Sequence, residues 1–417
     1  GASISFSVGD VVGLFGEEAI SAPFRFRMAV RSAANPASLL GQAAQLTIGN
    51  LSSSTFQGIV TGAASGGTFE GDPILVVTLE PTLARARWFR GFRSFEFMGA
   101  SEIVQSVLAH HGISVRLGQG RRLDYEAQWN ESDLDFVSRL LEREGIHYHF
   151  SGDGSLVLDD DNAAFESGPA LAYLGHFADP DEAEILSSFR AGSSLSPQRV
   201  TVRGWDMLRK EVVEGSATSP GGIGDVITFL SDADEEEIAL ARAATLLAIE
   251  RAEASSRTGT SNAPGVRAGT TISVSGAGGA FSGDYLVTAV RHVIVPEESC
   301  FGYGNRFSAI PASVPFRPSR ATPVPTFAGT ITAVVTNNND PDKLYRVKVK
   351  FPVGPFESNW ARVAVPHRGG AFALPEINDE VLVAFEGGDV RRPYVIGSLY
   401  NGRDRPPSLA PPAPNTN

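Results

Sequence analysis

The stretch YEAQWNESDLDFVSRLLEREGIHYHF, Tyr125 to Phe150, predicts a strand, a capped helix and a second strand in succession. Asn130 or Ser132 can cap the helix, aspartates follow near its positive end, and Gly145 ends it. The apolar residues of the helix fall on one stripe, formed by Leu134, Val137, Leu140 and Leu141. We therefore expect an amphipathic helix with one side in the core.

Two histidines follow this helix in an alternating strand. In IHYHF, His147 and His149 share one face, and the turn SGDG leads into SLVLDDD, so the segment predicts a β-hairpin. Such a pair can chelate a metal, but a usable site needs a third or fourth ligand, for which Asp159 to Asp161 are the available donors. We expect the histidines to lie on a polar, solvent-facing side of the hairpin, with no metal and no catalytic role.

A shorter helix is predicted before this stretch, in GASEIVQSVLAHHGI. Ser101 can cap it, Gly112 supplies the left-handed stop, and His110 and His111 occupy its last turn, where the helix dipole favours histidine. The stripe that faces the core comprises Ile103, Val104, Val107, Leu108 and His111. One histidine of the pair therefore faces the core, and we expect a structural role for it.

Alternating runs on both sides predict antiparallel sheets. FRFRMAV (Phe24 to Val30) and PILVVTLE (Pro73 to Glu80) predict a first barrel or sandwich, and QRVTVRGWD and GDYLVTAVRHVIV belong to a second β segment. One long helix, Asp232 to Ser256, interrupts that segment, with Asp232 and Glu235 in capping-box spacing. We expect its five carboxylates between Asp232 and Glu237 to complement the helix dipole, not to bind a metal.

A proline-rich run, VPFRPSRATPVP, predicts a stiff connector between domains from Val314 to Pro325. Five short strands follow within about 75 residues, which suits an OB-like barrel. They are predicted in FAGTITAVV, LYRVKVKF, WARVAVPH, DEVLVAFE and YVIGSLYN. The fold class is therefore mainly β with minor α.

Composition excludes several functional classes. The 417 residues predict two to four domains, and a net charge of −12 argues against a general binder of nucleic acid or anionic membranes. Cys300 is alone, so no disulfide framework exists, and it lacks a nearby base motif that would make it a nucleophile. Neither a signal peptide nor a transmembrane segment is predicted, so we expect any export to be signal-independent.

Catalytic and cofactor-binding motifs are also missing from the sequence: G-x-S-x-G, H-E-x-x-H, the P-loop and paired-cysteine zinc motifs. We predict no catalytic, cofactor-binding or metal-binding residues, and no enzyme. Binding of an oligonucleotide or glycan by the OB barrel is an alternative, because Arg346, Lys348 and Lys350 line one strand face. The opposite face holds Tyr345, Val347, Val349 and Phe351. We expect the basic face to be solvated or to lie between subunits.

The C-terminal strands resemble the OB domain of the VgrG family, the spikes of type VI secretion systems and related contractile-phage baseplate proteins. The resemblance rests on RVKVKFP, WARVAVP, LPEINDEVLVAFEGGD and RRPYVIGSLYNGRDRPP. Glu131 to Ile146 is similar to the hub signature of that family, in the same order along the chain. The resemblance implies two hub β-barrel domains with helical insertions, followed by a C-terminal OB-fold barrel.

The resemblance also implies a function and partners. It implies a structural hub and spike protein, a homotrimeric adaptor between a hexameric (Hcp-like) tube and a puncturing tip, assembled in the cytoplasm and then secreted. Further expected partners are baseplate or sheath components, and a tip (PAAR-like) protein and effectors that the family binds through a C-terminal needle. We do not expect this needle within the 417 residues, either because the chain is truncated or because the spike is short. A phage baseplate hub with cell-wall hydrolase activity is an alternative, but it needs an additional helical domain for which no segment is spare.

Predicted domain limits follow from the same patterns. They are 1–90 for hub barrel 1, 91–175 for an α/β hub insertion with helix and hairpin, 176–313 for hub barrel 2 with the long helix, 314–326 for the Pro-rich linker, 327–403 for the OB-fold domain and 404–417 for a tail.

Overall fold

The computed structural model describes most of the chain, in the ranges 5–49, 51–113, 115–116, 121–162, 165–173, 183–279, 281–296, 301–319, 321–354, 356–366 and 373–407. These residues form two compact units. The larger unit comprises Gly1–Phe89, Gly99–Arg122 and Ser132–Pro323, and the smaller unit comprises Arg90–Met98, Leu123–Glu131 and Val324–Asn417. The boundary at Pro323 falls in the proline-rich segment.

Strands dominate the described residues, and the prediction of a mainly β fold is confirmed. The helices are α1 (Ala100–Ala109), α2 (Asp133–Glu144) and α3 (Glu236–Ala254). The strands are β1 (Val11–Ala19), β2 (Ala22–Arg31), β3 (Ala43–Gly49), β4 (Ser53–Phe69), β5 (Asp72–Glu80), β6 (Arg90–Gly99), β7 (Val115–Arg116), β8 (Arg122–Ser132), β9 (His147–Phe150), β10 (Leu156–Asp159), β11 (Glu166–Tyr173), β12 (Ile185–Ala191), β13 (Arg199–Asp206), β14 (Glu211–Thr218), β15 (Asp225–Phe229), β16 (Arg257–Ser261), β17 (Thr270–Ser275), β18 (Gly283–Pro296), β19 (Phe301–Pro311), β20 (Ile331–Asn337), β21 (Lys348–Lys350), β22 (Arg362–Val363), β23 (Glu380–Phe385) and β24 (Pro393–Ser398). In this part of the chain no helix is both long and apolar enough to cross a membrane.

One eleven-stranded sheet organises the described part of the larger unit, in the order β17-β11-β12-β16-β19-β18-β1-β2-β5-β4-β3. Because β17 also pairs with β18, the first six strands close into a barrel. The long strand β18 pairs with β19 inside the barrel and with β1 outside it, and so joins the barrel to the N-terminal strands. A register shift between Val287 and Ala289 marks a bulge in β18, the kind of irregularity that bends a strand.

Each half of this sheet has its own apolar core. The closed barrel is filled from alternate positions of its strands, by a cluster that includes Leu171, Leu186, Ile272, Val287 and Phe307. The N-terminal strands bury a second cluster that includes Leu14, Phe24, Phe26, Phe56 and Leu79. The alternation of apolar and polar residues that predicts β2 and β5 therefore arises because one face of the sheet is buried, as expected for antiparallel sheets.

A small sheet, β14-β13-β15, packs against α3 in the larger unit. A Cβ on Gly204 would lie 1.5 Å from the Ala233 carbonyl oxygen, so only glycine permits this close approach. The predicted capping box of α3 is wrong, because the helix begins at Glu236 and Glu235 makes no side-chain cap hydrogen bond. The carboxylate of Asp232 instead lies 3.9 Å from the arginines at 143 and 242.

The predicted ends of α2 are confirmed, but the predicted cap of α1 is wrong, because Gly99 occupies the cap position and Ser101 lies buried inside the helix. Ser132 Oγ accepts a hydrogen bond from the Asp135 amide at 3.0 Å, and Gly145 ends α2 with φ of 72°. Helix α2 has the predicted apolar stripe and is amphipathic, but its polar side is covered as well, since nine of its twelve residues are buried. Its polar side chains are buried with partners, as in the 2.9 Å contact between Asp133 and His111 Nε2.

The smaller unit contains the predicted C-terminal OB fold. Its sheet has the order β21-β20-β23-β24-β22 and closes through paired hydrogen bonds between Val347 and Ala361, at 2.9 and 2.7 Å. The ribbon β6–β8 adds Tyr125, Ala127 and Trp129 to its core. Trp129 makes edge contacts with the rings of Phe92, Phe327, Phe351, Phe356 and Phe385.

The two units do not follow the linear order of the predicted domains. The segment 91–175, predicted as one hub insertion, is divided, because Leu123–Glu131 belongs to the smaller unit and Ser132 onwards to the larger. The domain limits given above stay predictions.

The first part of the proline-rich segment is fixed to the larger unit. The Asn162 amide nitrogen donates to the carbonyls of Ala312 and Val314, and its oxygen accepts from the Phe316 amide at 3.0 Å. The Glu142 carboxylate accepts from the amide and hydroxyl of Thr322, at 3.0 and 2.7 Å. The chain is therefore held as far as Thr322.

Candidate functional site

The paired histidines of β9 are buried in the larger unit. His147 is 0% exposed and His149 is 4% exposed, so the prediction of a solvent-facing histidine side is wrong. The Phe165 ring stacks on His147 with centroids 4.4 Å apart, and Phe316 of the proline-rich segment adds an edge contact at 5.9 Å. These aromatic rings cover a strand face that the sequence presents as polar.

Burial keeps both imidazoles neutral. It lowers the pKa of His147 to about 3, with smaller contributions from His149 and Arg317, and it lowers the pKa of His149 to about 4, assisted by Arg267. Within the described residues, none of the four ring nitrogens has a hydrogen-bond partner. The pair therefore behaves as aromatic packing and offers no proton for acid-base chemistry near neutral pH.

The neighbouring aspartates do not join the histidines in one ligand set. The carboxylate oxygens of Asp159 to Asp161 lie within 4.8 Å of one another, and neither histidine belongs to this group. Asp159 Oδ1 already accepts from the amides of Asp160 and Asp161, at 2.7 and 3.1 Å. Burial acts to lower the pKa of the Arg317 guanidinium, and the charges of all three carboxylates act to raise it. The cluster is a turn of three carboxylates near the Arg317 guanidinium.

The basic strand of the OB barrel is occupied by internal contacts. Arg346 is buried and donates to Asp340 at 3.0 and 2.7 Å, while Lys348 Nζ donates to Glu96. Although burial acts to raise it, hydrogen bonds from Arg346 lower the pKa of Asp340 to about 2. Both cations also lie over the Trp360 ring, at 5.8 and 5.6 Å. Of the three predicted basic residues, only Lys350 is exposed.

The residues opposite this basic face are placed mostly as predicted. Val347, Val349 and Phe351 are in the barrel core. Tyr345 is not, because it precedes the strand with φ of 57° and is 61% exposed. The strand thus serves the packing of the barrel on one face and its charge balance on the other.

A buried polar network in the larger unit was not predicted. His292 Nε2 lies 3.1 Å from Glu18 Oε1, and its Nδ1 lies 2.8 Å from the Tyr303 hydroxyl. The Ala268 amide donates to the same Glu18 oxygen at 3.1 Å. His292 has no exposed surface, so the network joins β1, β18 and β19 and gives no substrate access. Alternation along β18 places His292 inward, and that is the signal that could have found it.

The other candidate residues from the sequence either have structural roles or lie outside the described residues. His111 is buried and paired with Asp133, as predicted for one histidine of the pair, and His110 is exposed. Cys300 lies outside the described residues. Of the acidic run, Glu235 to Glu237 are exposed at the start of α3. Among the described residues, these groups do not converge on one site. This arrangement favours a function that depends on protein–protein interfaces.

Two family models match the chain in succession. Residues 17–297 match the phage tail baseplate hub (GPD), and residues 331–400 match the type VI secretion system/phage-baseplate injector OB domain. The chain is 32% identical to the type VI secretion system spike protein VgrG5 of Pseudomonas aeruginosa, over 96% of this chain and 57% of that protein. It is 30% identical to VgrG4b of the same organism, over 94% of this chain and 54% of that protein. The chain thus spans little more than half the length of these relatives.

The fold is similar to that of a solved type VI secretion component. The Escherichia coli c3393 protein, described as a type VI secretion component with similarity to the bacteriophage T4 tail proteins gp27 and gp5, matches with a TM-score of 0.70 and 22% identity. The match covers 94% of this chain and 97% of that chain. These matches confirm the resemblance predicted from Glu131 to Ile146 and from the C-terminal strands.

Proposed function

Since the chain belongs to the family of phage tail baseplate hub proteins, we propose that it is the hub and spike protein of a contractile injection system, acting as a homotrimeric adaptor between a hexameric tube and a puncturing tip. The observation that carries this proposal is the succession of hub and injector OB models along one chain, at 17–297 and 331–400. A protein with both parts has a surface for the tube and a neck toward the tip.

Symmetry supports the trimer. A closed barrel and five further strands share one sheet in the larger unit, so three copies would present six related β surfaces to a sixfold tube. Closed threefold symmetry also prevents open polymerisation. The tube is Hcp-like in this proposal, and a PAAR-like tip, effectors and baseplate components are the further partners.

The proposal assigns no catalysis to this chain. His147 and His149 are neutral and covered, and the pair of His292 and Glu18 is enclosed in the larger unit. The assembly forms in the cytoplasm and is then secreted as part of the injection particle. Its work is mechanical, so it depends on the stability of interfaces.

The trimer leads to the first prediction. Light scattering after gel filtration is expected to give three times the 44.2 kDa of one chain, because the hub ring requires three copies. Dilution should shift the mass toward the monomer, since subunit association follows mass action. A stable dimer at every concentration would contradict the proposed symmetry.

The second prediction concerns which unit binds the tube. We expect hydrogen exchange of the whole protein, with and without its cognate tube protein, to slow in the larger unit and to remain unchanged in β20 to β24. The whole chain is needed because removal of the C-terminal strands would uncover Trp129, which packs in the OB core. A contact spread over many residues should protect several segments at once.

Protection confined to 331–400 would reverse the assigned polarity of the spike. A matched control uses an unrelated tube-forming protein, for which no segment of the chain should be protected. Binding of both tubes with the same pattern would mean that the contact is nonspecific.

A further inference from the structure

The outer face of the eleven-stranded sheet carries a row of charged side chains. Arg306 of β19 lies directly opposite Arg291 of β18, Arg291 opposite Glu17 of β1, and Glu17 opposite Arg25 of β2. Neighbouring strands are about 4.8 Å apart, so the row follows one line across the sheet. Arg27, also exposed, lies two residues further along β2.

A groove of about 490 Å³ lies along this row in the larger unit. Its lining includes Glu17, Ala19, Ala22, Ala289, Arg291 and Arg306. The short alanine side chains leave open space between the longer side chains of Glu17, Arg291 and Arg306. The two opposed arginines are therefore presented at the edge of a concave surface.

The opposed arginines are an unfavourable pair within the protein. Like charges directly opposite each other in a sheet are destabilising. Arg291 is partly compensated, because it bonds Glu17 at 2.8 Å and lies over the Phe15 ring at 5.5 Å. Neither Arg306 nor Arg27 has a carboxylate partner within the described ranges. An external anion at the groove would relieve this repulsion.

The chemistry of the row favours carboxylates on a protein over a polyanion. Glu17 lies between Arg291 and Arg25, so an unbroken phosphate chain would meet a negative charge in the middle of the row. Separate carboxylates can each take one guanidinium without displacing Glu17 from Arg291. Phe15 is 41% exposed beside them and offers an apolar contact.

We propose that the groove at Arg291 and Arg306 is a docking site for an acidic segment of a partner protein, whose carboxylates bind between these two guanidinium groups. This inference goes beyond the hub and spike function and does not depend on it. Within the whole chain, which carries a net charge of −12, the row is a local basic surface. It would orient an acidic partner that the rest of the chain repels.

The test measures the binding of a labelled polyglutamate peptide by fluorescence anisotropy. Arg291→Thr with Arg306→Thr is expected to weaken binding by about tenfold or more, since two charge-assisted contacts are lost. The control, Arg116→Thr with Arg209→Thr, removes the same charge from exposed arginines that are paired elsewhere and should change binding less than about twofold. Salt raised from ~50 to ~300 mM should weaken binding of the unmodified protein.

Thermal unfolding separates docking from a structural role. The Arg291→Thr, Arg306→Thr variant loses the exposed contacts of Arg291 with Glu17 and Phe15, but it also loses a like-charge pair and gains β-branched strand residues. Since these effects offset each other, its melting temperature should stay close to that of the unmodified protein. The proposal is overturned if the unmodified protein does not bind polyglutamate, or if the variant binds it within twofold of the unmodified protein. It is also overturned if inorganic phosphate or a DNA oligonucleotide of equal charge displaces the peptide more readily than unlabelled polyglutamate does.

Discussion

Replacing Leu140 by aspartate is expected to unfold the larger unit. Leu140 is 0% exposed on a helix that is buried on almost every side. The variant loses the apolar burial of leucine, about 2–5 kcal/mol, and buries a carboxyl group without a partner, about 1–3 kcal/mol more. Since domains have only about 5–15 kcal/mol of stability, the sum is comparable with the whole.

The measurement is urea unfolding followed by near-ultraviolet circular dichroism. Leu240→Asp in α3 is the matched control, because it makes the same exchange in a helix of the same unit at a position that is 51% exposed. We expect the control to cost less than about 1 kcal/mol. If Leu140→Asp unfolds at the same urea concentration as Leu240→Asp, the packing described for α2 is incorrect.

Mild acid is expected to destabilise the larger unit through His147 and His149. Their folded pKa values, about 3 and about 4, lie below the value of about 6.5 for an unfolded chain. Between these limits the unfolded chain binds more protons, so stability is complete above about pH 6.5 and falls as the pH falls toward the folded values. Between about pH 7 and about pH 5 each histidine should cost about 2 kcal/mol, or about 4 kcal/mol together.

The pH dependence is measured by urea unfolding at about pH 7 and about pH 5, a window above the titration of most carboxyl groups. The double variant His147→Phe with His149→Phe should lose most of the dependence, whatever its stability at neutral pH. Exposed His110→Gln serves as the control and should keep it. An equal slope for the double variant and the unmodified protein would refute the assignment.

Elements that are specified by nearby residues were predicted correctly from the sequence. The hairpin β9–β10, the end of α2 at Gly145 and the five OB strands were all found, because alternation and turn residues specify them within a few positions. The family resemblance added the order of hub and OB parts, and the comparisons confirm it.

Burial that depends on distant residues could not be predicted. The sequence predicts a polar, exposed strand face at His147 and His149. In the structure the rings of Phe165 and Phe316 cover this face, and Phe316 is distant in the sequence. The alternation through Tyr125 and Trp129 predicts one buried face, but not that this face completes the OB core. These outcomes are set by tertiary contacts.

Pairing between strands decides the rest of the candidate sites. The sequence places Arg291 and Arg306 on separate strands, and only the register of β18 against β19 makes them opposite each other. The contact between Glu18 and His292 likewise joins residues far apart in the chain. The capping box predicted for α3 is wrong because the Asp232 carboxylate lies near Arg143 and Arg242 and does not cap the helix.

The central claim, that the chain is the hub of a contractile injection system, is tested most directly by cryo-electron microscopy of cognate tubes mixed with the protein. We expect a threefold ring of larger units seated on the end of the sixfold tube, with no contact between the tube and the OB barrels. Tube ends that stay bare at saturating protein, or that are contacted through the OB barrels, would contradict this claim.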